Sequence, residues 1–83
     1  VECSTIMAIK INNRNIDAPK FQELITKHGC IIKTRLGIHE VDNCAKEGLI
    51  ILQLCGKDED IQALGEEINS LDTVKAKWMK LDF

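Results

Sequence analysis

The chain has 83 residues, 45% of them hydrophobic and 29% charged, with a net charge of −2; these values fit one small folded domain spanning 1–83. The slightly acidic balance argues against wholesale binding to a polyanion. No apolar run approaches the about 18 residues of a membrane helix, so no membrane partner is expected, and the opening VECST lacks the basic start and apolar stretch of a signal peptide.

The segment 5–11, TIMAIKI, alternates. Met7, Ile9 and Ile11 mark one face of a strand, and Ile6, Ala8 and Lys10 mark the other. The polar loop Asn12-Asn13-Arg14-Asn15 follows. Asn15 or Asp17 is the expected cap of a helix with Pro19 in its first turn, where a missing N–H costs little. Phe21, Leu24, Ile25 and His28 recur at helical spacing, and Gly29 stops the helix.

The run 30–39 predicts a second strand, with Ile32, Thr34, Leu36 and Ile38 on one face and Lys33, Arg35 and Gly37 on the other. Residues 40–47 read as a polar hairpin loop. The strand 48–55, GLIILQLC, is apolar on both faces: Leu49 and Ile51 point one way, and Ile50, Leu52 and Leu54 the other. Asp58 is the expected cap of a second helix carrying Ile61, Leu64 and Ile68, in which Gly65 marks close packing. A last strand over 73–81 alternates Val74, Ala76 and Trp78 with Lys75, Lys77 and Met79.

The order strand–helix–strand, strand–helix–strand with right-handed crossovers gives an α+β, ferredoxin-like βαββαβ domain. Its four-stranded antiparallel sheet carries both helices on one face. The helix-covered core then holds Met7, Ile9, Ile11, Ile32, Leu36, Ile38, Ile50, Leu52, Leu54, Val74 and Ala76. The opposite face carries an apolar centre of Ile6, Ala8, Leu49 and Ile51 inside a rim of Lys10, Lys33, Arg35, Lys75 and Lys77. A greasy face of this kind predicts self-association, a dimer or tetramer, with those four apolar residues at the interface.

Other chemistries fare less well. A basic sheet that binds single strands needs aromatic stacking platforms; this chain has no Tyr, and its Trp78 falls on the core side. Direct nucleic-acid binding is therefore not expected. None of Cys3, Cys30, Cys44 and Cys55 forms a C-x-x-C pair, so reduced thiols and a cytoplasmic location are the default. Cys30, Cys55 and His28 offer at most a partial thiolate–imidazole set, and helix-end packing is the simpler account of them. No metal or cofactor is assigned. No glycine-rich phosphate loop is present, and the neighbours His39 and Glu40 point to opposite faces of a strand; an enzyme is not expected. The loop Asn12-Asn13-Arg14 at a helix start remains a candidate cradle for an anionic metabolite.

The segments IMAIKINNR, KHGCIIKTRLGI, GLIILQL and DIQALGEEINSLDTVKAK, in that order over about 5–81, resemble the small ACT-like regulator family of iron-only hydrogenase systems. Arg14 after the first strand, the Arg35-x-Gly37 step and the Ala63-Leu64-Gly65 step carry the likeness. The resemblance implies an ACT-type domain that assembles into dimers or larger species and has a regulatory role. ACT domains generally sense small molecules, often amino acids, near the first strand–helix loop and at subunit interfaces. Many have a glycine in that loop, where this chain has Asn12, Asn13 and Arg14. On this basis the expected effector contacts are Asn12, Asn13 and Arg14, with Arg35 from the open sheet surface. The alternative is a ligand-free domain for protein interaction.

Overall fold

The computed structural model describes residues 2–38 and 48–83, with the side chain of Ile38 outside the described set. The expected hairpin loop 40–47, including Cys44, also lies outside it. The elements run β1 (Thr5–Ile11), α1 (Arg14–Lys27), a single 3₁₀ turn (Gly29–Ile31), β2 (Ile32–Ile38), β3 (Gly48–Leu54), α2 (Asp58–Asn69) and β4 (Val74–Lys80). The sheet order is β2-β3-β1-β4, antiparallel throughout. This is the ferredoxin-like arrangement.

Register fixes the two faces. Met7 lies opposite Leu52 and Trp78, and Ile9 opposite Ile50 and Ala76. These residues meet Phe21, Ile25, Ile61, Leu64 and Ile68 in one buried cluster. Each such side chain contributes about 1.5–3 kcal/mol of burial, largely offset by chain entropy. Both helices therefore cover the same face. Ala8, Lys10, Leu49, Lys75 and Lys77 are exposed on the other. No helix among the described residues is long and apolar enough to cross a membrane.

Several local expectations are corrected. The cap of α1 is Asn13, whose side-chain oxygen accepts the Asn15 N–H at 3.2 Å, not Asn15 or Asp17. The cap position of α2 is Lys57, with no side-chain cap, and Asp58 is the first helical residue. There Asp58, Glu59 and Asp60 favour the positive end of the helix dipole instead. Gly56 turns the chain from β3 into α2 at φ 107°, a conformation that disfavours any side chain.

The largest departure is in β2. Ile32 pairs with Leu54 and Thr34 with Gln53, so a bulge falls between them, at Lys33. One extra residue reverses every side chain that follows. Arg35 lies opposite Leu52, on the helix side, and Leu36 lies opposite Ile51, on the open side, where it is 55% exposed. Leu36 is thus not a core residue, and Arg35 does not belong to the rim of the open face.

The expectation of free thiols also fails. Residues ahead of β1 run beside the end of β3: the Gly56 N–H donates to the Glu2 carbonyl at 3.0 Å and Gln53 Nε2 to the Cys3 carbonyl at 3.1 Å. This brings the Cα atoms of Cys3 and Cys55 to 3.9 Å, and the two form a disulfide. Cys30 is free and exposed.

Candidate functional site

The bulge in β2 creates a pocket at the edge of the core. Arg35 turns under α1, where it donates to Gln22 Oε1 at 2.8 Å and its guanidinium carbon stands 5.8 Å from the centre of the Phe21 ring. Both contacts hold the planar fork in one orientation. Across from it, Arg14 opens α1 directly after the Asn13 cap. Its stem lies over the backbone of Gly48, close enough that a Cβ there would be 3.5 Å from Arg14 Cδ. Gly37 faces empty space on the strand beside it, with nothing within 4 Å of where a Cβ would stand. The missing side chains at Gly37 and Gly48 leave a pocket of about 260 Å³ between α1, β2 and β3. Ile11, Ala18, Phe21 and Ile50 supply its apolar wall.

Among the described residues the lining holds two guanidiniums and no Asp or Glu. Among the described residues the ion pairs join Lys27 and His28 to Glu67, and Lys80 to Glu2 and Asp58; neither arginine takes part. Both arginines are exposed, and two cationic side chains on one pocket favour an anion there over a cation.

The four expected effector contacts are thus split. Arg14 and Arg35 share the pocket, although Arg35 reaches it from the helix side of the sheet. Asn12 and Asn13 do not line it. The Asn12 N–H donates to the Thr73 carbonyl at 2.7 Å, and the Asn13 carbonyl accepts from the N–H groups of Ile16 and Asp17. Both asparagines anchor the β1–α1 turn.

Asp17 is part of that anchor, although it reads in the sequence as a possible cap. It is fully buried, and its Oδ2 accepts the Thr73 N–H at 2.7 Å and the Thr73 hydroxyl at 2.5 Å. The hydroxyl holds the Asp17 carboxyl below the usual carboxylate range; burial pushes the other way, and the Thr73 N–H and the Lys20 ammonium add to the lowering. Asp17, Phe21 and Ile25 are the buried residues of α1 and stand four apart. An acid on the apolar stripe was the signal available in the sequence.

On the open face, Ile6, Ala8, Leu49 and Ile51 lie on one side of β1 and β3, Ala8 directly opposite Ile51. Leu36 and Met79 extend this patch, at 55% and 61% exposure. Its shallow groove of about 220 Å³ runs between Ala8, Leu49 and the side chains of Lys10, Lys75 and Lys77. The Cys30, Cys55 and His28 set does not assemble: Cys55 is held in the disulfide and His28 Nε2 meets Glu67 at 3.3 Å. Among the described residues no group of three His, Cys, Asp or Glu could hold a metal ion.

No protein-family model matches the sequence, and no curated protein does. Among solved structures the chain is similar to an uncharacterized protein of Thermotoga maritima, at 22% identity and a TM-score of 0.85, covering 94% of this chain and 95% of that one. It is also similar to a functionally unknown protein of Pediococcus pentosaceus, at 11% identity and a TM-score of 0.57, covering 99% and 96%. A third likeness is to part of a formyltetrahydrofolate deformylase of Pseudomonas putida, at 7% identity and a TM-score of 0.61 over 94% of this chain but 29% of that one. At these identities the likeness establishes the class alone: a ferredoxin-like α+β domain.

Proposed function

We propose that this chain is a small ACT-like regulatory module that self-associates through its open sheet face and senses a small molecule in the Arg14–Arg35 pocket. The observation that carries it is the placement of both features on the same two strands. Arg35 faces the pocket and its neighbour Leu36 faces the open side; Ile50 lines the pocket, Ile51 stands on the open side, and Leu49 borders both the pocket and the open-face groove. A ligand that holds β2 and β3 in one arrangement then biases assembly by its differential affinity for the two states. The resemblance to the regulators of iron-only hydrogenase systems supports the same role. In this reading the protein is not an enzyme, and among the described residues the pocket lining offers no Ser, Cys, His, Asp or Glu as nucleophile or base. This reading places it in the cytoplasm, where the Cys3–Cys55 bond would stand against a reducing thiol pool.

The test is mass in solution by light scattering at low and high salt, for the native chain and for Ile51→Asp. A dimer or tetramer that Ile51→Asp turns into a folded monomer is expected, because the substitution places an unpaired charge in the buried patch. A native chain that is monomeric at all concentrations refutes the assembly. The apolar groove on the open face favours one other reading, a ligand-free domain that docks a different protein there.

A further inference from the structure

We propose that the ligand of the Arg14–Arg35 pocket is a small carboxylate with an apolar body and no ammonium group, of the aromatic or branched 2-oxo acid class. This inference rests on the sensor reading above and specifies its chemistry. Carboxylates fit because two guanidiniums line one pocket, one carried by the start of α1 and one by β2. Each has five N–H donors in a planar fork. Gln22 engages Arg35 and orients it, leaving most of its donors free. One fork can bind a carboxylate through both oxygens while the other reaches an adjacent keto oxygen.

The body of the ligand must be apolar. Ile11, Ala18 and Ile50 line the rest of the space, and a bare inorganic anion would leave them uncovered. The pocket holds about 260 Å³. A cavity of about 150 Å³ already accepts a benzene ring, so a ring plus a carboxylate arm fits.

An amino acid fits less well. Its ammonium would bring three donors and a positive charge beside two guanidiniums. No carboxylate stands among the described lining residues to receive it, and Gln22 Oε1 is already engaged by Arg35. The same charge logic disfavours amines against the described lining residues.

Calorimetric titration and thermal unfolding of the native chain with phenylpyruvate, phenylalanine, 2-phenylethylamine and inorganic phosphate test this. Phenylpyruvate should raise the unfolding midpoint, since it binds only the folded form. It should bind about tenfold or more tighter than phenylalanine, the cost of an unmatched polar group, and the amine should not bind. Arg14→Gln and Arg35→Gln should each weaken phenylpyruvate about tenfold or more, as loss of a charge-assisted pair does. Gly37→Leu should leave the unliganded midpoint nearly unchanged, because the space beyond Gly37 is open, and should abolish binding by filling it.

Phenylalanine binding as tightly as phenylpyruvate, with the same dependence on both arginines, overturns the ligand class and leaves the sensor reading standing. Phenylpyruvate binding that survives Gly37→Leu and both arginine substitutions overturns the location. If none of the four probes binds, the class and the sensor reading fall together.

Discussion

Substituting Gly65 with alanine should destabilise the domain, although alanine is the better helix former. Gly65 is buried in the middle of α2, against β4. A Cβ there would stand 2.3 Å from Trp78 Cζ3, 2.4 Å from Cη2 and 2.8 Å from Cε3. Carbon atoms rest at about 3.5–4.0 Å, so the indole must retreat by roughly 1 Å or more. Trp78 cannot move without disturbing the core it packs against, where Met7 lies directly opposite on β1. Overpacking of this kind costs about 1–3 kcal/mol, against a gain of at most about 1 kcal/mol from helix propensity. The net expectation is a loss of about 1–2 kcal/mol, or roughly 4–16 °C in the midpoint for a domain of this size. Urea unfolding followed by the emission of Trp78, the single tryptophan of the chain, measures the loss and also reports whether the ring has shifted. The double variant Gly65→Ala with Trp78→Leu should show a coupling: the alanine should cost less, or even stabilise, once the ring is gone. A Gly65→Ala protein as stable as the native chain, with unchanged emission, would refute the close-packing argument.

Two further outcomes follow from the covalent and ionic ties. Reducing Cys3–Cys55, which spans 52 positions, should lower stability by about 2–4 kcal/mol, and Cys3→Ser should reproduce the loss while Cys30→Ser should not. Urea midpoints with and without reductant decide it. Stability should also fall with acid. The Asp17 and Glu67 carboxyls are both held below the usual range, Glu67 first by the Lys27 ammonium and then by His28. Their contribution is complete above the ordinary carboxylate pKa and is lost as the pH falls through the lower folded values. Unfolding midpoints measured from about pH 5 downward should decline, and Glu67→Gln should flatten part of the slope; a flat native profile counts against both pairings.

Much of the frame was legible because burial enforces periodicity. The alternation of Met7, Ile9 and Ile11, and of Ile50, Leu52 and Leu54, needed only the strand period of two, and all six are buried. Gly65 was readable as a close approach because a helix has no other use for glycine in its interior. The β2 bulge was not readable. The run IIKTRLGI is apolar on both sides of Lys33, so its pattern fits either register, and the choice is made by pairing with β3. That single ambiguity misplaced both Arg35 and Leu36. The disulfide was hidden for a different reason: VECST has no periodicity, and its path beside Gly56 is set by backbone hydrogen bonds that no spacing announces. The pocket itself is made by absence, at Gly37 and Gly48, between side chains far apart in the chain.

The bulge makes β2 an indexing device. Arg35 and Leu36 are consecutive, and one faces the helix side of the sheet and the other the open side. Removing Lys33 would leave Thr34, Arg35 and Leu36 opposite Gln53, Leu52 and Ile51 in an unbroken ladder, so each would keep its present face. Three steps along β2 from Ile32 to Arg35 face two along β3 from Leu54 to Leu52, and that mismatch lets an isoleucine and a guanidinium share the helix side.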